Sequence, residues 1–409
     1  MTQRKKTKPR KFAETEKKEN AYLVAVESRS GPNPPMPVEY SLRELARLVR
    51  TAGGTVSGST SQRRVHPHPT LYIGRGKIDE IKARKEELKY SMVVFDDQLS
   101  PSQQLNLEKA FGVKVLDRSA LILDIFAQRA RTREATLQVE LAQHQYLKPR
   151  LRGQWQHLSR TVGGPGAGSG SIGTRGPGET QLETDRRLID RRISKLKRDI
   201  QGVRNHRERQ RDRRLREGMP IVALVGYTNT GKSSLLKALV GSDVFVADAP
   251  FATLDPLTRR LGGNGDNAVL MTDTVGFMQK LPTELVSAFQ TTLEELSNAS
   301  LLIHVLDANS PVLESQERVV RETLDNLGLK EIPTLTVINK VDMLFPKNTI
   351  NEVMDINELM NGAYRGNFNR SDDSSDEYLF ASATERWGIH ELRTRILYEF
   401  FGPAETGEC

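Results

Sequence analysis

Ile221-Val-Ala-Leu-Val225 runs directly into Gly226-Tyr227-Thr228-Asn229-Thr230-Gly231-Lys232-Ser233, and Ser234-Leu-Leu-Lys-Ala-Leu-Val240 follows. The first stretch predicts a buried strand and the last a helix. A G-x-x-x-x-G-K-S loop between them is a phosphate-binding loop in the context it requires. Its glycines let backbone N–H groups wrap a β-phosphate, and the helix N-terminus adds partial positive charge. Lys232 is expected to reach the β- and γ-phosphates, and the Ser233 hydroxyl to ligate Mg²⁺. Gly226 through Ser234 is therefore the first part of a nucleotide-binding set, and it opens an α/β P-loop domain near Pro220.

Two further motifs fall at strand ends downstream. Asp273-Thr-Val-Gly276 closes the strand Val269–Thr272. Asp273 is expected to hold Mg²⁺ through a water, and the Gly276 N–H to meet the γ-phosphate. Asn339-Lys340-Val341-Asp342 follows the strand Thr334–Ile338. Its Asp342 carboxylate suits guanine N1–H and the exocyclic amine, neither of which adenine offers. A site built on such bonds rejects a base that leaves the carboxylate unpaired. Lys340 is expected to lay its stem along the base, and Asn339 to tie the loop to the phosphate loop. Ser382-Ala383, after a strand at Leu379–Phe380, offers a backbone N–H to guanine O6. These residues predict GTP as substrate, GDP as product and Mg²⁺ as cofactor.

Between the phosphate loop and Asp273 lies Ala249-Pro-Phe-Ala-Thr253-Leu-Asp255. A mobile loop at this place carries a Thr that closes over Mg²⁺ and the γ-phosphate. Thr253 is the first choice and Thr258 the competitor. The catalytic set is then Lys232, Thr253 and Gly276; the metal set is Ser233, Thr253 and Asp273. Phe277 stands where many small GTPases place a Gln that orients the attacking water. An aromatic ring cannot do that. The sequence therefore predicts slow intrinsic hydrolysis, with a partner or another element completing the site.

The whole chain has 409 residues, 37% of them hydrophobic, which supports two or three packed domains. Lys and Arg number 60 against 52 Asp and Glu, a formal charge of +8 that draws a protein toward polyanions. The single cysteine, Cys409, excludes an intramolecular disulfide and a cysteine-based zinc site, as expected in a reducing compartment. The first twenty residues are basic and polar with no apolar core, and no stretch approaches a membrane span. The reading is cytoplasmic and monomeric.

Along the chain, 1–20 reads as a disordered basic leader, 21–118 as an α/β subdomain and 119–218 as a helical hairpin. Residues 219–402 read as the nucleotide domain and 403–409 as a tail. In 21–118, strands are predicted at Tyr22–Val26, Tyr72–Ile73, Met92–Phe95 and Val113–Leu116. Helices are predicted from Ser41, Ile78 and Pro101, with Ser100 as N-cap. The hairpin loop, 163–178, is rich in glycine. After it, Leu182, Ile189, Ile193, Leu196, Ile200 and Val203 recur with coiled-coil spacing. Arg and Lys crowd the other faces, including Arg129, Arg131, Arg133, Lys148, Arg150 and Arg152, and the run from Arg186 to Arg216. Such a stripe suits RNA phosphates. Residues 361–377 read as a polar, acidic insertion.

Together these residues resemble the HflX family of ribosome-associated GTPases. The resemblance is carried by Tyr72-Ile-Gly-Arg-Gly-Lys77, Leu99-Ser-Pro-Ser-Gln-Gln-Leu-Asn-Leu-Glu108 and Asp117-Arg-Ser-Ala-Leu-Ile-Leu-Asp-Ile-Phe126. It continues in Ala130-Arg-Thr-Arg-Glu134, Leu137-Gln-Val-Glu-Leu-Ala142, Gly173-Thr-Arg-Gly-Pro-Gly-Glu179, Pro250-Phe-Ala-Thr-Leu-Asp255 and Asp273-Thr-Val-Gly-Phe277. It implies an N-terminal α/β domain with a long helical hairpin, followed by a Ras-like P-loop GTPase domain. It also implies binding to the large (50S) ribosomal subunit near the peptidyl-transferase centre through the hairpin and its Gly163–Gly178 loop. Splitting of stalled 70S ribosomes, with hydrolysis stimulated by the ribosome, follows from that likeness. The same motifs serve a ribosome-assembly GTPase acting on immature large subunits, or a GTP-sensing RNA-binding module. Some relatives carry a further C-terminal domain where this chain has little beyond one helix. ATP binding has been linked to the family's N-terminal domain, but Gly74-Arg-Gly-Lys77 reads better as a strand-to-helix turn.

Overall fold

Two sheets, each with a parallel core, organise the chain. The computed structural model describes residues 19–28, 36–151, 177–216, 219–241, 249–254, 257–262, 268–280, 296–345 and 378–402. Most of the expected leader, most of the glycine-rich loop, the acidic insertion and the tail lie outside them; Asn20, expected in the leader, opens the first strand.

The first sheet has the order β2-β1-β3-β4 and is parallel throughout. Its strands are β1 (Asn20–Ser28), β2 (Thr55–Arg64), β3 (Met92–Phe95) and β4 (Lys114–Asp117). The central strands β1 and β3 are buried on both faces, which explains their unbroken apolar runs. The helices are α1 (Val38–Thr51), α2 (Arg75–Ala83), α3 (Lys85–Leu88) and α4 (Pro101–Phe111). Ser100 caps α4 in a full capping box with Gln103. One expectation is corrected here, and one strand is new. Tyr72–Ile73 is a turn, not a strand: Tyr72 takes φ +64° and forms only an isolated bridge with His68. The strand of this region is β2, hidden in the polar run Thr-Val-Ser-Gly-Ser-Thr-Ser-Gln-Arg-Arg.

A buried ionic network closes the C-terminal end of this sheet. Arg118, 1% exposed, lies 2.6 Å from Asp96 and 2.7 Å from Glu44. Ser41 Oγ donates to Asp96 at 2.7 Å. Charges this deep persist only when each is paired.

Helices α5 (Arg118–Arg129) and α6 (Arg133–Leu147) follow, separated by a break that Thr132 caps. Then comes α7 (Pro177–Arg216), 40 residues long. It lies against α6, where Arg192 pairs with Glu140, Lys148 pairs with Asp190, and Leu196 is fully buried. Ile189, Ile193, Ile200 and Val203 are half-buried along the same seam. Arg150 is corrected from the expected basic face: it is buried, stacks on Tyr146 and bonds Asp117 and the Leu99 carbonyl. Arg186, Arg191, Lys195, Lys197 and Arg198 remain exposed.

The second sheet has the order β10-β9-β8-β5-β7-β6. Its strands are β5 (Ile221–Gly226), β6 (Leu257–Gly262), β7 (Ala268–Asp273), β8 (Leu301–Asp307), β9 (Thr334–Asn339) and β10 (Tyr378–Phe380). All pairings are parallel except β6 with β7. Helices α8 (Lys232–Val240), α9 (Leu313–Asn326) and α10 (Ile389–Phe401) connect or cover them. One apolar cluster runs from Leu45 and Phe126 in the first half to Tyr227, Phe277 and Leu302 in the second. Among the described residues, no helix is long and apolar enough to cross a membrane.

Candidate functional site

Open α/β sheets bind ligands beyond the carboxyl ends of their strands. Here β5 ends at Gly226, β7 at Asp273, β8 at Asp307 and β9 at Asn339. Three sequence motifs and Asp307 are thereby gathered along one edge, around a cavity of about 760 Å³.

The phosphate loop is built by backbone shape. Asn229 takes φ +63° and Gly231 φ +90°, so the chain curls before α8 begins at Lys232. A Cβ on Gly226 would sit 2.4 Å from the Val305 carbonyl oxygen; one on Gly231 would sit 2.4 Å from Asn339 Nδ2. Only glycine fits at either place. Thr228, Asn229, Thr230, Gly231, Lys232, Ser233 and Ser234 line the cavity. Tyr227 does not: it is buried beneath the loop, where its hydroxyl accepts from the Gln279 N–H at 3.1 Å. Burial and nearby Glu44 push this phenol up.

Lys232 is buried and donates to the Gly226 and Tyr227 carbonyls at 3.1 and 2.8 Å. Burial pushes its ammonium down to about 8, with Asp273 opposing and Lys340 adding to the fall. An anion beside it favours the charged form.

Ser233, Thr253 and Asp273 converge. Ser233 Oγ and Thr253 Oγ1 both donate to Asp273 Oδ2, at 2.6 and 2.9 Å, and the two hydroxyls lie 2.8 Å apart. Thr258 is elsewhere, on β6, with its hydroxyl 3.1 Å from that of Thr272. Asp273 is fully buried, and burial raises its carboxyl against the pull of Lys232 and the two hydroxyls. Its Oδ1 has no hydrogen-bond partner among the described residues. A hard oxygen set with an unsatisfied buried carboxylate oxygen fits a magnesium ion that keeps several waters.

At the base end, Asn339 Nδ2 donates to the Thr230 carbonyl at 2.9 Å, joining the two loops. Lys340 Nζ reaches the Asn229 carbonyl at 2.7 Å and Asp307 at 2.8 Å. Ser382 Oγ donates to Asp342 Oδ1 at 2.6 Å and accepts from the Glu385 N–H. This aiming of Asp342 by a side chain is absent from the sequence reading. The backbone N–H groups expected to serve guanine O6 have protein partners here: Ser382 N–H meets the Trp387 carbonyl and Ala383 N–H meets Asn339 Oδ1.

Gly276 lines the cavity, and a Cβ there would sit 2.8 Å from Thr228 Cα. Phe277 points away from it, 3% exposed within the apolar cluster that joins the two halves. Its N–H donates to the Gly226 carbonyl at 3.0 Å and its carbonyl accepts from Thr228 at 2.7 Å.

Both loops that bracket the site touch the N-terminal half. Phe251, two residues before Thr253, packs edge-on against Phe126 with ring centroids 4.6 Å apart. Lys280, four residues after Gly276, binds Asp96 and Asp97. Phe251 and Lys280 both hold φ +56°, a conformation that costs free energy and persists where contacts enforce it. Tyr40, Arg47, Arg50 and Thr51 of α1 also line the cavity. None of these four was legible as a site residue.

Known proteins place this arrangement. Three family models match in sequence: GTP-binding GTPase N-terminal over residues 39–127, GTP-binding GTPase middle region over 129–214, and 50S ribosome-binding GTPase over 221–340. The GTPase HflX of Caldanaerobacter subterraneus is 48% identical over 327 residues, 80% of this chain and 73% of that protein. The GTPase HflX of Escherichia coli is 46% identical over 303 residues, 74% of this chain and 70% of that protein. A GTP-binding protein from Sulfolobus solfataricus, solved in complex with GDP, aligns over 92% of this chain and 97% of its own at 24% identity and a TM-score of 0.44. With 46–48% identity to these HflX proteins over about three quarters of its length or more, and a guanine-type loop on a P-loop sheet, the chain belongs to the HflX GTPase family and is a GTP hydrolase with a ribosome-binding GTPase domain.

Proposed function

We propose that this protein couples GTP hydrolysis to binding of the large ribosomal subunit and to splitting of stalled 70S ribosomes. The observation that carries the reading is physical continuity: the loops that bracket the nucleotide are gripped by the same half that bears the long basic helix α7. A change at the γ-phosphate then has a packed route to the surface that meets RNA.

Within the site, Lys232 neutralises the β- and γ-phosphates, and backbone N–H groups from Gly226 to Ser233 hold the β-phosphate. Asp342, aimed by Ser382, selects guanine. Ser233 and Thr253, with Asp273 through a water, are the residues that would hold Mg²⁺. When bound, the ion supplies positive charge to the β- and γ-phosphate oxygens. Thr253 and Gly276 are the contacts that distinguish GTP from GDP. The exposed Arg and Lys of α7 contact ribosomal RNA backbone, and residues 163–178 reach toward the peptidyl-transferase centre.

The test is GTP turnover with and without purified 50S subunits, together with co-sedimentation in GTP, GDP and a non-hydrolysable analogue. Stimulated turnover and tighter binding in the triphosphate state are expected. Equal binding in all three states would remove the switch, and loss of 70S particles without new free subunits would remove splitting.

A further inference from the structure

We infer that Arg47 and Arg50 of α1 contact the polyphosphate of the bound nucleotide and supply positive charge to it from the N-terminal half of the same chain. This deepens the proposed GTPase reading and rests on it.

The nucleotide cavity has two walls. One is the phosphate loop with its flanking motifs; the other is one face of α1. On a helix of 3.6 residues per turn, Tyr40, Arg47 and Thr51 fall on a single stripe, with Arg50 at its border. The opposite face, with Leu45, Leu48 and Val49, is fully buried in the first sheet's core. The stripe is therefore pinned in direction by the packing behind it.

The helix is also fixed against the second half. Gln316 Nε2 of α9 donates to the Tyr40 hydroxyl at 2.7 Å, and Gln279 Nε2 donates to Ser41 Oγ at 3.0 Å. The arginines thus face the cavity from a helix bonded to both α9 and the segment after Gly276.

Charge pairing singles these two residues out. The neighbouring cations are engaged: Arg118 has Asp96 and Glu44, Lys280 has Asp96 and Asp97, Lys340 has Asp307, and Lys232 donates to the Gly226 and Tyr227 carbonyls. Arg47 and Arg50 are exposed and have no side-chain hydrogen bond or ion pair among the described residues. Among the described residues that line the cavity the one carboxylate, Asp307, is held by Lys340. Two uncommitted guanidinium groups at the wall of a phosphate site suit an anion carrying several charges, because a guanidinium presents a fork of donors matched to phosphate oxygens.

The reaction has a place for them. Phe277 is buried away from the cavity and orients no water. GTPases that lack part of the hydrolytic set can gain rate from an arginine supplied in cis, which offsets charge on the phosphoryl oxygens. α1 is an element of this chain placed to do so.

The test compares the wild type with Arg47→Ala, Arg50→Ala, the double variant and the two Lys versions. Affinities for GTP, GDP and guanosine are measured by titration, and the hydrolytic rate by single-turnover assay without ribosomes. Because both side chains are exposed, thermal unfolding of the nucleotide-free variants should match the wild type. The double Ala variant is expected to lose at least tenfold in GTP affinity or single-turnover rate, less for GDP, and nothing for guanosine, with partial recovery by Lys. GTP affinity and rate within twofold of the wild type, or an equal loss for guanosine, would overturn the inference. A wild type that fails to hydrolyse GTP even with 50S subunits added would instead overturn the GTPase reading on which it rests.

Discussion

Lys280 Nζ lies 2.5 Å from Asp96 Oδ2, joining the segment after Gly276 to the C-terminal end of the first sheet. The two residues are 184 positions apart in sequence. Asp96 also receives Arg118 and Ser41, so one buried carboxylate anchors the segment after Gly276 and the core of the N-terminal half together.

The two partners in this contact should behave differently. Asp96→Asn leaves Arg118 buried with an incomplete partner set, and breaking such a pair costs about 3–5 kcal/mol. Lys280, which is 37% exposed, should cost less, about 1 kcal/mol on change to Ala. Denaturant unfolding of the two variants checks the order. A larger loss from Lys280→Ala would contradict the anchoring role of Asp96.

The same carboxylate sets an acid limit. Burial alone would raise the Asp96 carboxyl, but Arg118, Lys280 and Ser41 outweigh it and hold it at about 2, below the ordinary 3.8. The folded state therefore binds fewer protons than the unfolded state between these values. The contribution, about 2 kcal/mol, is fully present above pH ~4 and is lost as pH falls toward 2. Unfolding measured from pH 6 to pH 2 should show a fall in stability over that window. Asp96→Asn should flatten it.

Base selection should follow Asp342 and its hydroxyl neighbour. Asp342→Asn is expected to weaken GTP binding by roughly 100-fold or more, since a site built on hydrogen bonds discriminates strongly. Ser382→Ala removes the 2.6 Å bond that aims Asp342 and should cost about 1 kcal/mol, a several-fold loss. Titration with GTP, and with xanthine nucleotides for the Asn variant, distinguishes the two. An equal effect from both would show that Ser382 does more than orient.

Phe277 should read out as packing as well as catalysis. Truncation to Ala empties a site at the seam between the halves and is expected to cost about 3–5 kcal/mol in unfolding. Phe277→Leu should cost less than about 1.5 kcal/mol. If the Ala variant unfolds at the wild-type temperature, the ring does not hold the halves together.

What the sequence disclosed depended on range. The phosphate loop, Asp273-Thr-Val-Gly276 and Asn339 to Asp342 were legible because each is a short motif at a strand end, where the strand itself is an apolar run. Strands β1, β3 and β4 were legible for the same reason. Strand β2 was not, since it is an edge strand of Ser, Thr, Gln and Arg held by register with β1. Strand β6 was missed because its polar Thr-Arg-Arg centre gains order only by pairing with β7. Tyr40, Arg47 and Arg50 lie about 180 residues before the phosphate loop. No local spacing encodes that meeting, which depends on how two sheets share one apolar core.

Helix α7 has one more consequence. At 1.5 Å per residue its 40 residues span about 60 Å. A rigid rod of that length acts as a lever: a tilt of about 5° at one end sweeps the other through about 5 Å. A small tilt where α7 packs on α6 thereby becomes a displacement the size of a side chain at the far end of the rod.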